Sequence, residues 1–130
     1  MTKEDKELLL KDLSGRISYG VIIEGLDKPE LLTIKTLAIN MTMSNNLYRP
    51  YLRPMSSMTR QECTQLNILL PRYFIVTPEC LACLDHINGG IINFEVLDTI
   101  IEFYNSHHLD WRGLIPKGLA LEAPKDMYKI

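Results

Sequence analysis

Between Met58 and Leu114 the sequence repeats one device four times: a residue able to cap a helix, an apolar residue before it, and another four positions after it. Met58-Thr59 with Cys63, Val76-Thr77 with Leu81, Ile92-Asn93 with Leu97 and Leu109-Asp110 with Leu114 all carry it. The cap oxygen accepts an N–H that a helix start leaves without a partner, and the apolar pair fixes how the chain enters. The spacing therefore predicts three to four short helices over about residues 59–118. Glu62 completes a capping box with Thr59, and Pro78 takes the favoured first helical position. Pro71, Asn88-Gly89-Gly90 and Gly118 supply stops, and residues 72–76 read as a short strand.

The stretch 92–124 is the most fully specified. Phe94, Leu97, Ile100, Ile101 and Tyr104 recur on one helical face, with Glu95, Asp98, Thr99 and Glu102 on the other. A polar joint follows at His107-His108, then a second short helix from Asp110 and an extended arm.

The front of the chain reads differently. Thr2 and Asp5 can cap a helix bearing Leu8, Leu9, Leu10 and Leu13, with Ser14-Gly15 as its stop. Residues 17–26 and 31–43 are rich in β-branched side chains and flank a turn at Asp27-Lys28-Pro29-Glu30, which predicts a hairpin extended into a meander. Residues 47–54 can be only edge strand or extended chain, because Pro50 and Pro54 cannot donate to a ladder. The expected fold is α+β: an N-terminal helix, a small antiparallel meander or incomplete barrel over about 15–55, and the helices packed on it. Each half alone is very small, so one domain over 1–130 is the economical reading.

With 46% hydrophobic and 23% charged residues, the chain has the apolar content to bury a core without staples. Its net charge of −2 implies no general polyanion binding. Nine basic residues stand against seven acidic through Arg60, and five against nine after it, so any nucleic-acid surface belongs to the front. Three cysteines, an odd number, make no disulfide framework. The N-terminus is charged and no apolar run reaches about 20 residues, so the expectation is a cytoplasmic protein without a membrane span.

Three clusters carry possible chemistry. Cys63, Cys80, Cys83 and His86 hold zinc-ligand types, but Cys80, Cys83, Leu84 and Ile87 share one helical face, where thiols pack as small hydrophobes. No metal and no cofactor are expected. His107, His108 and Asp110, with Arg112 near, form the densest titratable group. Imidazoles at a helix C-terminus and an aspartate at the next start also describe ordinary caps. No nucleophile elbow, phosphate loop or metalloprotease motif accompanies them. Tyr48, Arg49, Tyr51, Arg53 and Arg60 combine guanidinium and aromatic groups, which grip phosphates and stack bases; the same residues also describe how a proline-bearing connector docks. Trp111 suits a core anchor or an interface.

KEDKELLLKDLSGRISYGV, YRPYLRPMSSMT and SHHLDWRGLIPKGLALEAPKDMYKI resemble a family of short uncharacterised proteins carried by phages, prophages and mobile elements of gut anaerobes. The stretch from Gln61 to Ile91 departs from that pattern. The resemblance brings no activity, and implies a small accessory protein that binds a host or phage macromolecule. The expected function is thus a non-enzymatic interface protein, with Tyr48, Arg49, Tyr51, Arg53, His107, His108, Asp110, Trp111 and Arg112 as candidate binding residues. Nucleic-acid binding by 48–60 and metal-assisted hydrolysis at His107, His108 and Asp110 are the alternatives.

Overall fold

In the computed structural model, residues 2–42, 47–70 and 94–128 are described, and they form an α+β fold. Helix α1 (Lys3–Arg16) starts at Thr2, whose hydroxyl accepts from the Asp5 N–H at 3.0 Å. Its buried face is Leu9, Asp12, Leu13 and Arg16, spaced i, i+3, i+4, i+7. Two of those four are charged, and that governs the interior. The helix runs through the expected stop at Ser14-Gly15, because Arg16 closes onto Asp12 one turn back at 2.8 Å.

A 3₁₀ turn (Ile17–Tyr19) leads to β1 (Ile22–Ile23), which pairs antiparallel with β2 (Glu30–Leu31). Gly25 shapes this hairpin: at φ 58° a Cβ there would collide with the Lys28 carbonyl oxygen.

The meander goes no further. Residues 31–43 were expected as strand, yet Ile34–Thr42 is helix α2. Thr33 decides this locally, since its hydroxyl accepts from the Thr36 N–H at 3.2 Å and its carbonyl from the Leu37 N–H at 2.9 Å. Packing then overrides β propensity: Leu37 joins the core beside α1, and the buried Asn40 amide exchanges two hydrogen bonds with the Tyr48 backbone.

β3 (Tyr51–Leu52) pairs parallel with β4 (Leu121–Glu122), and Arg53 continues it beside Leu109, also in parallel. On its other flank Pro50 bridges Ile23. Pro50 donates nothing, but its carbonyl accepts from Leu121 N–H at 2.9 Å. In place of an incomplete barrel, short strand pieces from both halves converge on 50–53.

Helix α3 (Arg60–Leu69) has the expected capping box: Thr59 hydroxyl accepts from Glu62 N–H, and the Glu62 carboxylate accepts from Thr59 N–H. Helix α4 (Phe94–Ser106) is the amphipathic helix read from the sequence. The expected helix starting at Thr77 and the strand at 72–76 lie outside the described residues.

The helix expected from Asp110 is absent. Gly113 at φ 72° takes a left-handed conformation, Pro116 has no N–H, and the segment turns without regular helix before β4.

Two apolar clusters result. Leu9, Leu13, Val21, Ile23, Leu47, Leu52, Leu114 and Leu119 form the first; Met58, Cys63, Leu66, Ile100, Phe103, Tyr104 and Leu109 form the second.

Candidate functional site

His107, His108, Asp110, Trp111 and Arg112 follow the end of α4, where Arg16 of α1 reaches across to the Leu109 carbonyl. Helix α4 ends in a Schellman motif: Leu109 N–H donates to Tyr104 carbonyl at 2.9 Å and His108 N–H to Asn105 carbonyl at 3.2 Å. His108 occupies the position usually given to glycine, at φ 60°. The two histidines consequently part. His107 stacks on Phe103 with ring centroids 4.0 Å apart, its Nδ1 beside the Phe103 carbonyl at 2.9 Å. His108 stacks on Tyr128 at 3.7 Å.

Tyr128 is itself fixed, donating to the Tyr51 carbonyl at 2.7 Å and accepting from Ile22 N–H at 2.8 Å. Burial pushes its phenol up to about 12. Burial also lowers His108, to about 4, with Arg16 the next cause. The ring is therefore neutral at pH 7.

Arg16 is wholly buried. Its Nε donates to Asp12, and its Nη2 donates across the cluster boundary to the Leu109 carbonyl at 2.7 Å. Asp12 also accepts from Arg112 Nε at 3.2 Å, so one carboxylate serves two guanidiniums. Burial lowers Arg112 from its ordinary value, partly offset by Asp12. Its guanidinium lies 4.1 Å over the Trp111 ring, whose Nε1 donates to Asn105 at 2.8 Å. Among the described residues, Arg16 Nη1 and His108 Nδ1 are buried side-chain atoms without a hydrogen-bond partner.

Asp110 gives both carboxylate oxygens to backbone, accepting from Leu114 N–H at 2.7 Å and Ile115 N–H at 2.9 Å. It caps a turn instead of a helix.

The basic-aromatic run is held just as closely. Arg53, 8% exposed, makes a two-pronged pair with Glu62 at 2.8 Å on each prong and donates to the His107 and Ser57 carbonyls. Burial pulls the Glu62 carboxyl up, but Arg53 and the Thr59 N–H outweigh it and the net shift is downward. Arg49 pairs with Glu24 at 3.2 Å, half-exposed. Tyr48 packs against the first cluster, and Tyr51 is half-buried in β3.

A cleft of about 420 Å³ opens between residues 54–59 and the arm 122–125, with Arg53 and Tyr128 on its walls. Both polar groups turn into bonds already described. Cys63 packs in the second cluster; Cys80, Cys83 and His86 lie outside the described residues. Among the described residues no three His, Cys, Asp or Glu side chains are placed to hold a metal ion, and no helix is long and apolar enough to cross a membrane.

No family model, curated protein or solved structure matches this chain.

The sequence reading missed Asp12, Arg16 and Glu24: Asp12 takes up Arg16 and Arg112, and Glu24 takes up Arg49. The spacing of Asp12 and Arg16 was a visible signal. It also missed an outer surface. Leu26 and Leu31 on the hairpin and Ile34 and Met41 on α2 are 81%, 57%, 80% and 61% exposed.

Proposed function

We propose that this is a non-enzymatic accessory protein of the cytoplasm, of the phage-borne type its three sequence blocks resemble, and that it works through a protein interface centred on α2. The observation that carries this reading is the exposure of two large apolar side chains two turns apart on α2, Ile34 at 80% and Met41 at 61%, with Leu26 and Leu31 also exposed on the hairpin. Exposed apolar residues scattered singly are ordinary, but grouped ones at helical spacing mark contact surfaces. The titratable residues favour the same reading, because their partners are backbone groups and one another. Arg49 and Arg53 spend their charge on Glu24 and Glu62, which leaves less support for a phosphate-gripping surface.

The test is capture on immobilised protein from a bacterial lysate that also contains free copies of the chain. The wild type is expected to retain a protein that Met41→Glu loses. Retention equal in both, or none above background, ends the reading.

A further inference from the structure

Beyond Ala123, whose N–H donates to the Leu52 carbonyl, the chain continues as an exposed stretch at 124–126 and reaches Tyr128. Among the described residues, the hydrogen bonds that tie 124–128 to the rest of the fold are the two at the Tyr128 hydroxyl, to the Tyr51 carbonyl and from the Ile22 N–H. The bond from Met127 N–H to the Pro124 carbonyl stays within the arm. The phenol ring lies on His108, 3.7 Å away and 14° from parallel. One side chain thus fastens the arm, and the arm lends Pro124, Lys125 and Tyr128 to the lining of the cleft.

We propose that the arm is a strap that Tyr128 fastens, and that a proton taken up by His108 unfastens it and opens the cleft.

His108 cannot answer a proton by moving its backbone. Its N–H donates to the Asn105 carbonyl, its carbonyl accepts from the Arg53 N–H at 2.7 Å, and its φ of 60° closes the end of α4. The side chain alone is left to turn. Its Nδ1 is buried without a hydrogen-bond partner, which a neutral ring tolerates by carrying its proton on the other nitrogen. A second proton puts an N–H at Nδ1 with nothing to receive it, at the full desolvation cost of a charged donor.

The surrounding charges add to that cost. Arg16 of α1, His107 at the end of α4 and Arg53 beyond β3 all oppose a positive imidazole. The nearby carboxylates are engaged elsewhere: Asp12 with Arg16, Glu62 with Arg53, and Asp110 with two backbone N–H groups. On the arm, the Tyr128 phenol is pushed up to about 12 and brings no negative charge. Attraction between an imidazolium and the phenol face works the other way, but the ring keeps it only by staying in place with Nδ1–H unmet. Turning into water meets that N–H, and the half-buried ring has solvent beside it. The same turn removes the surface on which Tyr128 lies.

The Ile22 amide reports the strap by itself, because its acceptor is the Tyr128 hydroxyl. The Leu32 amide of the same hairpin donates to Val21, and the Leu109 amide to Tyr104. Hydrogen exchange of the full chain, corrected for its intrinsic pH dependence, is read as Ile22 protection relative to those two amides. With 6.5 for the open ring and about 4 for the closed one, linkage gives a fall of about 30-fold from about pH 7.5 to about pH 5, which the ring's partial exposure reduces to about tenfold. His108→Asn and His108→Gly suit the left-handed backbone and carry no titrating ring. In both, the relative protection is expected to be equal at the two pH values. Tyr128→Phe, which keeps the ring and loses the hydroxyl, is expected to leave Ile22 weakly protected at both. A wild-type fall smaller than about threefold overturns the proposal, as does a fall that survives in the His108 variants or an Ile22 amide that Tyr128→Phe leaves fully protected.

Discussion

Replacing Asp12 with Ala lowers the unfolding free energy by about 3–5 kcal/mol, a large part of the ~5–15 kcal/mol typical of a domain. Asp12 is the one carboxylate that Arg16 and Arg112 share. Without it Arg112, with 18% of its side chain exposed, can turn to water. Arg16 has no exposed surface and stays as an unpaired buried cation. The loss therefore comes from leaving a charge behind more than from losing a favourable bond. The pair Asp12→Leu with Arg16→Met should cost less than Asp12→Ala, because it removes both ions and leaves apolar side chains of similar length on the buried face of α1. Urea midpoints of the two variants check this, with a slope of about 1–3 kcal/mol/M setting the scale. A loss under about 1 kcal/mol for Asp12→Ala would mean that the triad sits in an environment as wet as a surface pair.

Acid should destabilise the protein in two separable stages. His108 has a pKa of about 4 in the fold against 6.5 for the free group. The unfolded chain therefore binds this proton more tightly. Its contribution is complete above 6.5, declines as pH falls, and is gone once pH passes below about 4. At 1.36 kcal/mol per pH unit the ceiling is about 3 kcal/mol, and because the ring is partly exposed, screening reduces the expected effect to about 1–2 kcal/mol. Glu62 acts lower down. Its carboxyl is held below 4.5, so its contribution is whole above that value and lost beneath it, where protonation weakens the Arg53 pair and the Thr59 cap. His108→Asn separates the stages, since asparagine tolerates the left-handed backbone but carries no titrating group. Unfolding free energies at pH 7.5, 5.5 and 4 are expected to fall in the wild type and to flatten across the upper window in the variant. Equal slopes in both would remove His108 from the account.

Much of the frame was legible because caps are local. Thr2 and Thr59 with Glu62 use partners within one turn, which sequence displays directly, and the apolar face of α4 shows in its spacing although its packing partners on α3 are distant in sequence. Helix α2 was not legible for the converse reason. Ile34, Thr36 and Ile39 favour strand, whereas the Asn40 amide that anchors the helix finds its partner at Tyr48, eight residues on. The candidate site divides in the same way. The composition of Arg49, Tyr51 and Arg53 showed a cationic, aromatic surface, but the carboxylates that claim those arginines are Glu24, 25 residues away, and Glu62, nine away. His107 and His108 were correctly placed at a helix end. That the second would stand in the left-handed position, stacked on Tyr128, depends on a tyrosine from the far end of the chain.

Both apolar clusters are joined by polar groups: Arg16 to the Leu109 carbonyl, Asn105 to the Gly15 carbonyl and to Trp111, and Arg53 to Glu62 and the His107 carbonyl. These buried ions and amides are predicted to fuse two small cores into one cooperative unit, which native-state hydrogen exchange tests most directly. The slowest amides of α1 and of α4 are predicted to open with one common free energy, equal to that of global unfolding. Amides of α1 that open at a free energy lower by about 2 kcal/mol or more than those of α4 would contradict it.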